Sequence, residues 1–297
     1  IETMKFKKFF VDEIVNESLV DNEIFYEVDN GKIYLKSSFA YLSQIKGLKD
    51  KFAFEIKDDI VCEKDDFFHL EYIKTFDLNE VNVPMPKDCV KLTIDPQESN
   101  FLLKSLLKFN YLNGKEKIIN KLVDKFSKWK CHFGREFFMR SEHHSTKKFS
   151  PIRKIISIED LLEQMMSRSW AWYYENLIKH KSIGIFYLIP WKDIREEYRI
   201  FVFKKQIRTV CQQKISEPLI SSNFQSLKKS ILKFQNSIVP LIHHDNFCAD
   251  VYFEDEELKL IEINPWFNSG TGLTTYNEIK SVPNNEIFVK FIKSKVA

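Results

Sequence analysis

The stretch FCADVYFEDEELKLIEINPWFNSGTGL, residues 247–273, decides the fold. Its apolar residues recur as in two buried strands joined by an acidic turn around Glu256. Strand side chains alternate between faces, so Glu262 and Asn264, two apart, share one face. Asp250 and Glu262 are separated by an even number of residues, so they can stand opposite each other in an antiparallel pair. That pairing expects a turn with an odd number of residues centred on Glu256: Asp255-Glu256-Glu257, or one residue wider on each side. Two carboxylates and an amide oxygen then converge from apolar flanks. Asp250, Glu262 and Asn264 are therefore candidate ligands for a hard divalent cation such as Mg²⁺, which takes oxygen donors and is commonly completed by a nucleotide's phosphates.

The bulk properties frame this reading. The 297 residues can bury a substantial core and hold two or three subdomains. A hydrophobic content of 44% with 14% aromatic residues argues against disorder. A formal charge of +3 makes no electrostatic case for nucleic acid or a membrane surface. No apolar run reaches membrane-spanning length, and MKFKKFFVDEIV lacks the apolar segment and cleavage site of a signal peptide. Cys62, Cys89, Cys131, Cys211 and Cys248 are odd in number and scattered, which fits reduced thiols. The expected location is the cytoplasm, or a host's cytosol if the chain comes from a pathogen.

Taken in order, residues 1–66 carry no recognisable chemistry and read as an N-terminal elaboration, with a strand at Lys32-Ile33-Tyr34-Leu35. Residues 67–96 read as extended segments, HLEYIKTFDL and VKLTI, around the loop NVPMPKD, where Pro84 and Pro86 oppose helix. Helices are expected over 98–112 and 115–130, and another from the capping box at Ser157–Asp160 through about His180. REFFMRSEHHSTKK, residues 135–148, begins as a strand and ends as a basic loop; IGIFYLIPW and EEYRIFVF read as strands. A helix is expected over 224–238, and another at the C-terminus from about Asn284. Residues 67–182 and 183–297 are the expected two lobes, the latter carrying the carboxylate strands.

The sequence has no GxxxxGK[ST], no GxGxxG opening a helix, no HRD or DFG and no HExxH. His143-His144 and His243-His244 are adjacent pairs, and on a strand adjacent side chains face opposite ways, so each offers one ligand at most. The remaining constellation is Asp250, Glu262 and Asn264 with Arg199 and the basic segment from Arg140 to Lys147-Lys148. Acids that hold a metal, with cations that neutralise phosphate oxygens, suit ATP use without a P-loop.

These motifs resemble a known family. D-x-Y…E-x-N-P on neighbouring strands is similar to the metal signature of ATP-grasp proteins, and within them to the cell-division-cycle-123 protein family. FMRSEHHSTKK (138–148) resembles that family's phosphate-binding strand and loop, and EEYRIFVF its EFRxFV strand. DVYF, IEINPW and TGLTTYNEI resemble its DVY…DFNPW…T-D-x-LLF ending. The resemblance spans roughly residues 70–280. It implies an α+β ATP-grasp fold, in which two α/β lobes with antiparallel sheets clasp a nucleotide, beside the N-terminal elaboration. It assigns Arg140 and Lys147 to ATP phosphates, Ile185, Phe186, Tyr187 and Leu188 to the adenine hinge, and Arg199 to the phosphates as the catalytic cation. Asp250, Glu262 and Asn264 fall on its Mg²⁺ ligands.

Two departures stand out. The Ser-Pro-Lys-Asp element reads Ser145-Thr146-Lys147-Lys148, and Gly272 follows Thr271 where the family carries Asp. Three functions remain open. The first is an ATP·Mg²⁺-dependent assembly factor for a protein partner, which the resemblance makes the gamma subunit of translation initiation factor 2 or another cell or host protein. The second is a carboxylate–amine ligase working through an acyl-phosphate. The third is a degenerate interaction module.

Overall fold

The computed structural model describes residues 4–11, 15–16, 26–29, 32–35, 60–61, 88–107, 116–127, 135–141, 154–167, 170–213, 223–265 and 271–292. The loop at Pro84–Pro86, the basic loop 142–148 and most of residues 1–66 lie outside them. In chain order the strands are β1 (Lys5–Val11), β2 (Val15–Asn16), β3 (Tyr26–Asp29), β4 (Lys32–Leu35), β5 (Ile60–Val61), β6 (Val90–Ile94) and β7 (Phe137–Ser141). They continue with β8 (Gly184–Pro190), β9 (Glu197–Phe203), β10 (Gln206–Gln212), β11 (Phe247–Glu254), β12 (Glu257–Pro265), β13 (Leu273–Thr274) and β14 (Glu286–Ile292). The helices are α1 (Pro96–Leu107), α2 (Glu116–Phe126), α3 (Ile158–Met165), α4 (Ala171–Lys179), α5 (Phe224–Ser237) and α6 (Tyr276–Ser281).

The chain divides into two compact units: Pro84–Asp193, and a second assembled from Ile1–Val83 with Ile194–Ala297. The contiguous unit is an antiparallel sheet in the order β6-β8-β7 with α1 to α4. Alternation along its strands turns Leu92, Ile94, Phe137, Met139, Phe186 and Leu188 to one buried face. Trp170 and Tyr173 meet the Phe186 ring edge-on there, with centroids 5.1 and 5.5 Å away. Gly184 lets this packing close, because a Cβ would stand 2.6 Å from Leu177 Cδ1 and 2.9 Å from Ile94 Cγ1. Because β8 lies between β6 and β7, it belongs to this unit, and the boundary falls after Asp193 instead of at 183.

The capping box at α3 forms as expected: Asp160 N donates to Ser157 Oγ (3.1 Å), and Ser157 N donates to Asp160 Oδ2 (3.0 Å). The helix does not run on to His180 but stops at Met165. Aromatic donors take its last carbonyls: Trp170 Nε1 donates to Gln164 O (3.1 Å) and Tyr174 Oη to Met165 O (2.6 Å). Helix α4 then starts afresh. At α1, Asp95 and Glu98 bond reciprocally to each other's backbone N–H, and Lys125 from α2 neutralises the buried Glu98 at 2.6 Å.

The discontinuous unit carries a six-stranded sheet in the order β1-β14-β10-β9-β11-β12. β1 and β10 flank β14 in parallel, and the remaining pairs are antiparallel. Part of the supposed N-terminal elaboration is thus an edge strand of this sheet. Lys5, Lys7 and Lys8 charge that edge, which discourages further strand addition. The C-terminal helix expected from Asn284 is strand β14 instead. Its Ile287, Val289 and Phe291 are buried on one face, the alternation of a strand held between two neighbours.

On that same face lie Ile200, Val202, Val210 and Val251, all buried, and Phe224 of α5 meets the Phe291 ring. Helix α5 buries Leu227, Ile231 and Phe234 and ties down both hairpin turns of the sheet. Ser226 Oγ donates to Glu256 Oε1 (2.8 Å) at one turn, and Gln235 Nε2 to Lys205 O (3.0 Å) at the other.

Candidate active site: an ion-pair row across the sheet

The hairpin read from the sequence forms, by a different device. The turn has two residues, Asp255 and Glu256, both at positive φ (51° and 63°), and Glu254 pairs with Glu257. A two-residue turn alone would set Asp250 beside Ile261. The register shifts between Asp250 and Val251, a β-bulge, and Asp250 stands opposite Glu262. The parity expected from an odd loop is supplied by the bulge.

Strand pairing extends this into a row on one face: Lys290 of β14, Cys211 of β10, Arg199 of β9, Asp250 of β11 and Glu262 of β12. The neighbouring row on that face contains Phe201, Cys248 and Asn264. Arg199 grips Asp250 with both arms, Nε to Oδ1 at 2.7 Å and Nη2 to Oδ2 at 2.8 Å. Asn264 Nδ2 lies 3.4 Å from Asp250 Oδ2. Asp250 is 2% exposed and Glu262 8%. Burial pushes the Asp250 carboxyl up to about 6; Arg199 pulls against the rise, and the Glu262 carboxyl adds to it. Burial works against the Arg199 charge as well, yet Asp250 beside it holds the guanidinium well above its ordinary value.

The donors are oxygens of the kind a hard divalent cation takes. Two carboxyls face each other with an amide alongside; Asp250 Oδ1 accepts from Arg199 Nε, and Oδ2 from Arg199 Nη2 with Asn264 Nδ2 beside it. Among the described residues no three His, Cys, Asp or Glu side chains are placed to hold a metal ion. The Asn264 oxygen and a ligand's own oxygens would therefore have to complete the shell. His243 and His244 stack at 4.1 Å between ring centroids, away from the carboxylates in sequence and outside the row.

The contiguous unit holds the other sequence candidates. Arg140 on β7 pairs with Tyr187 on β8, which pairs with Lys91 on β6, so the three share a face with Ile185 and Thr93. It is the face opposite Phe186 and Leu188, which point into the aromatic core. Of the four hinge residues, only Ile185 and Tyr187 therefore turn their side chains to Arg140's side. The β8 backbone there is flanked by strands on both sides; beyond Leu188 the β6 ladder ends while β7 continues to Pro190. Lys147 lies outside the described residues.

Two basic residues escaped the sequence reading. Lys91 was legible in the alternation of VKLTI, which sets it and Thr93 opposite Leu92 and Ile94. Lys290 was hidden by the helical reading of the C-terminus. The Cys211 thiol, between Lys290 and Arg199 in the row, is pushed up to about 12 by burial despite the nearby cations. Iodoacetamide at pH 8 should leave Cys211 unmodified in the native protein and alkylate it after unfolding, as peptide mass spectrometry would show.

Comparison with known proteins bears on the fold. The fold is shared with Cdc123 from Schizosaccharomyces pombe, at a TM-score of 0.56 and 18% identity over 75% of this chain and 98% of that one. C-terminally truncated Cdc123 from the same yeast gives 0.54 with the same identity and coverage. D-alanine–D-alanine ligase from Bacillus anthracis, complexed with ATP, lies further off, at 0.37 and 11% identity over 65% of this chain and 54% of that one. No curated protein matches the sequence. The chain has an α+β fold, shared with the Cdc123 structures. Residues 179–296 match the model of the D123 family.

Proposed function

We propose that this protein binds ATP·Mg²⁺ and works on or with a protein partner. The observation that carries the reading is the bidentate Arg199–Asp250 pair with Glu262 and Asn264 on the same sheet face. Asp250, Glu262 and Asn264 would hold the cation through oxygen, and bound there it would neutralise phosphate charge. Arg199, already oriented by Asp250, faces the phosphates as a fixed guanidinium. Within the contiguous unit, Arg140 and Lys91 share one sheet face, with Lys147 after them in sequence, and are cations of the kind that suit phosphate oxygens. Adenine would lie where the chain leaves β8, past Leu188, since the backbone at 185–188 is flanked by β6 and β7.

In this reading the partner is a protein of the translation-initiation-factor type, with the gamma subunit of initiation factor 2 as the first candidate. The place of action is a reducing cytoplasm, in keeping with the free Cys89, Cys211 and Cys248. Calorimetric titration with ATP, with and without Mg²⁺, tests the nucleotide site: binding that strengthens with the cation is expected, and no binding in either condition would sink the proposal. Product analysis then separates assembly from ligation. Phosphate release that requires a carboxylate and an amine acceptor would establish the ligase reading; stable partner binding without turnover would establish assembly.

A further inference from the structure

Lys290 is the member of the charged row that the nucleotide reading does not use. Its side chain is 7% exposed, on the same face as Arg199 and two strands away from it. An ammonium so placed needs partners, and it has two: it donates to Leu273 O at 3.2 Å and forms an ion pair with Glu278. Glu278 in turn accepts from Thr274 Oγ1 at 2.8 Å, and its backbone N–H donates to Thr275 Oγ1 at 3.1 Å, which caps α6. Both partners belong to one segment, residues 271–281.

That segment walls the site. Leu273, Tyr276 and Ile279 pack on Phe201, Cys211 and Cys248, which are buried on the face of the Arg199–Asp250 row. Cys248 is paired directly with Asn264. Gly272, at φ +65°, makes the turn that brings the chain into the wall, a conformation glycine adopts without strain. Beneath this apolar packing, Lys290 is a charged group that ties the wall to the sheet.

We propose that Lys290 is a positioning residue of the candidate site: through Leu273 and Glu278 it holds the 271–281 wall beside Asp250 and Asn264, and thereby sets the affinity for the phosphate–cation end of the ligand. The proposal rests on the ATP·Mg²⁺ reading above. Lys290→Met keeps the length of the stem and removes the charge. Two measurements on the full chain test it, both well below the variant's unfolding temperature.

In hydrogen exchange, amides within 271–281 should exchange faster in Lys290→Met than in the wild type; equal protection would overturn the anchoring. In calorimetry, Mg·ATP should bind roughly tenfold more weakly, the scale of coupling within one hydrogen-bonded network, while adenosine binds as before. An unchanged Mg·ATP affinity in the folded variant would overturn the positioning role. Should Lys290→Met fail to fold, Lys290→Arg and Glu278→Gln replace it. Arg should preserve affinity, Gln should lower it, and equal affinities in the two would overturn the proposal. If the wild type bound no nucleotide, the nucleotide reading would fail, while hydrogen exchange would still judge the anchor.

Discussion

Asp250→Ala should abolish Mg·ATP binding and also lower folding stability by about 3 kcal/mol, the low end of the cost of breaking a buried ion pair. The two effects have different origins. Binding is lost because one of the two carboxylates leaves the donor set. Stability is lost because Arg199, with a side chain 16% exposed, keeps its charge and loses its two hydrogen bonds to Asp250. The residual exposure lets water reach the guanidinium, which is why the lower figure applies. A second substitution separates the effects: Arg199→Met on top of Asp250→Ala removes the stranded charge and should recover most of the stability without restoring nucleotide affinity. Urea denaturation of the two variants, with calorimetry on each, checks both statements. If Asp250→Ala bound Mg·ATP as the wild type does, the carboxylate row would not be the cation site.

Phe186→Ala is the second large effect, expected to cost about 3–5 kcal/mol, as for truncation of a buried aromatic. The sequence resemblance places the Phe186 backbone at the adenine hinge. Its ring is fully buried in the Trp170 and Tyr173 cluster under the sheet. The substitution should therefore act on stability alone: a lower urea midpoint, faster hydrogen exchange within 84–193, and little change in nucleotide affinity of the folded protein. A specific loss of adenosine binding with the midpoint unmoved would return Phe186 to the ligand.

How far the sequence carried follows from the kind of signal each element leaves. Asp250, Glu262 and Asn264 were legible because period-two alternation survives any turn geometry that preserves facing pairs. The turn was misread since loop length and a bulge are interchangeable ways of setting parity, and only backbone angles such as those of Asp255 and Glu256 distinguish them. The strand β14 looked helical because Ile287, Phe288, Phe291 and Ile292 repeat at the helical spacing as well as filling both faces of a buried strand. β10 was passed over because its partner turn, Lys204-Lys205, carries no glycine or asparagine, although both residues take positive φ. Side-chain direction on β8 was legible by alternation, but its place between two strands depends on pairings distant in sequence.

The discontinuous unit also sets an order of events during synthesis. Residues 84–193 form a contiguous unit whose strands and helices are all available once Asp193 has been made. The six-stranded sheet cannot be completed then, because β14, which joins β1 to β10, comes at residues 286–292. Until that strand arrives, β1 has no place in the sheet, and the ammonium that ties down 271–281 does not yet exist. Contacts this distant in sequence form slowly and leave open strand edges waiting. The nascent chain thus finishes the proposed phosphate-and-cation end last, so a translation product halted before β14 should fail to bind Mg·ATP tightly even with every proposed ligand already in place.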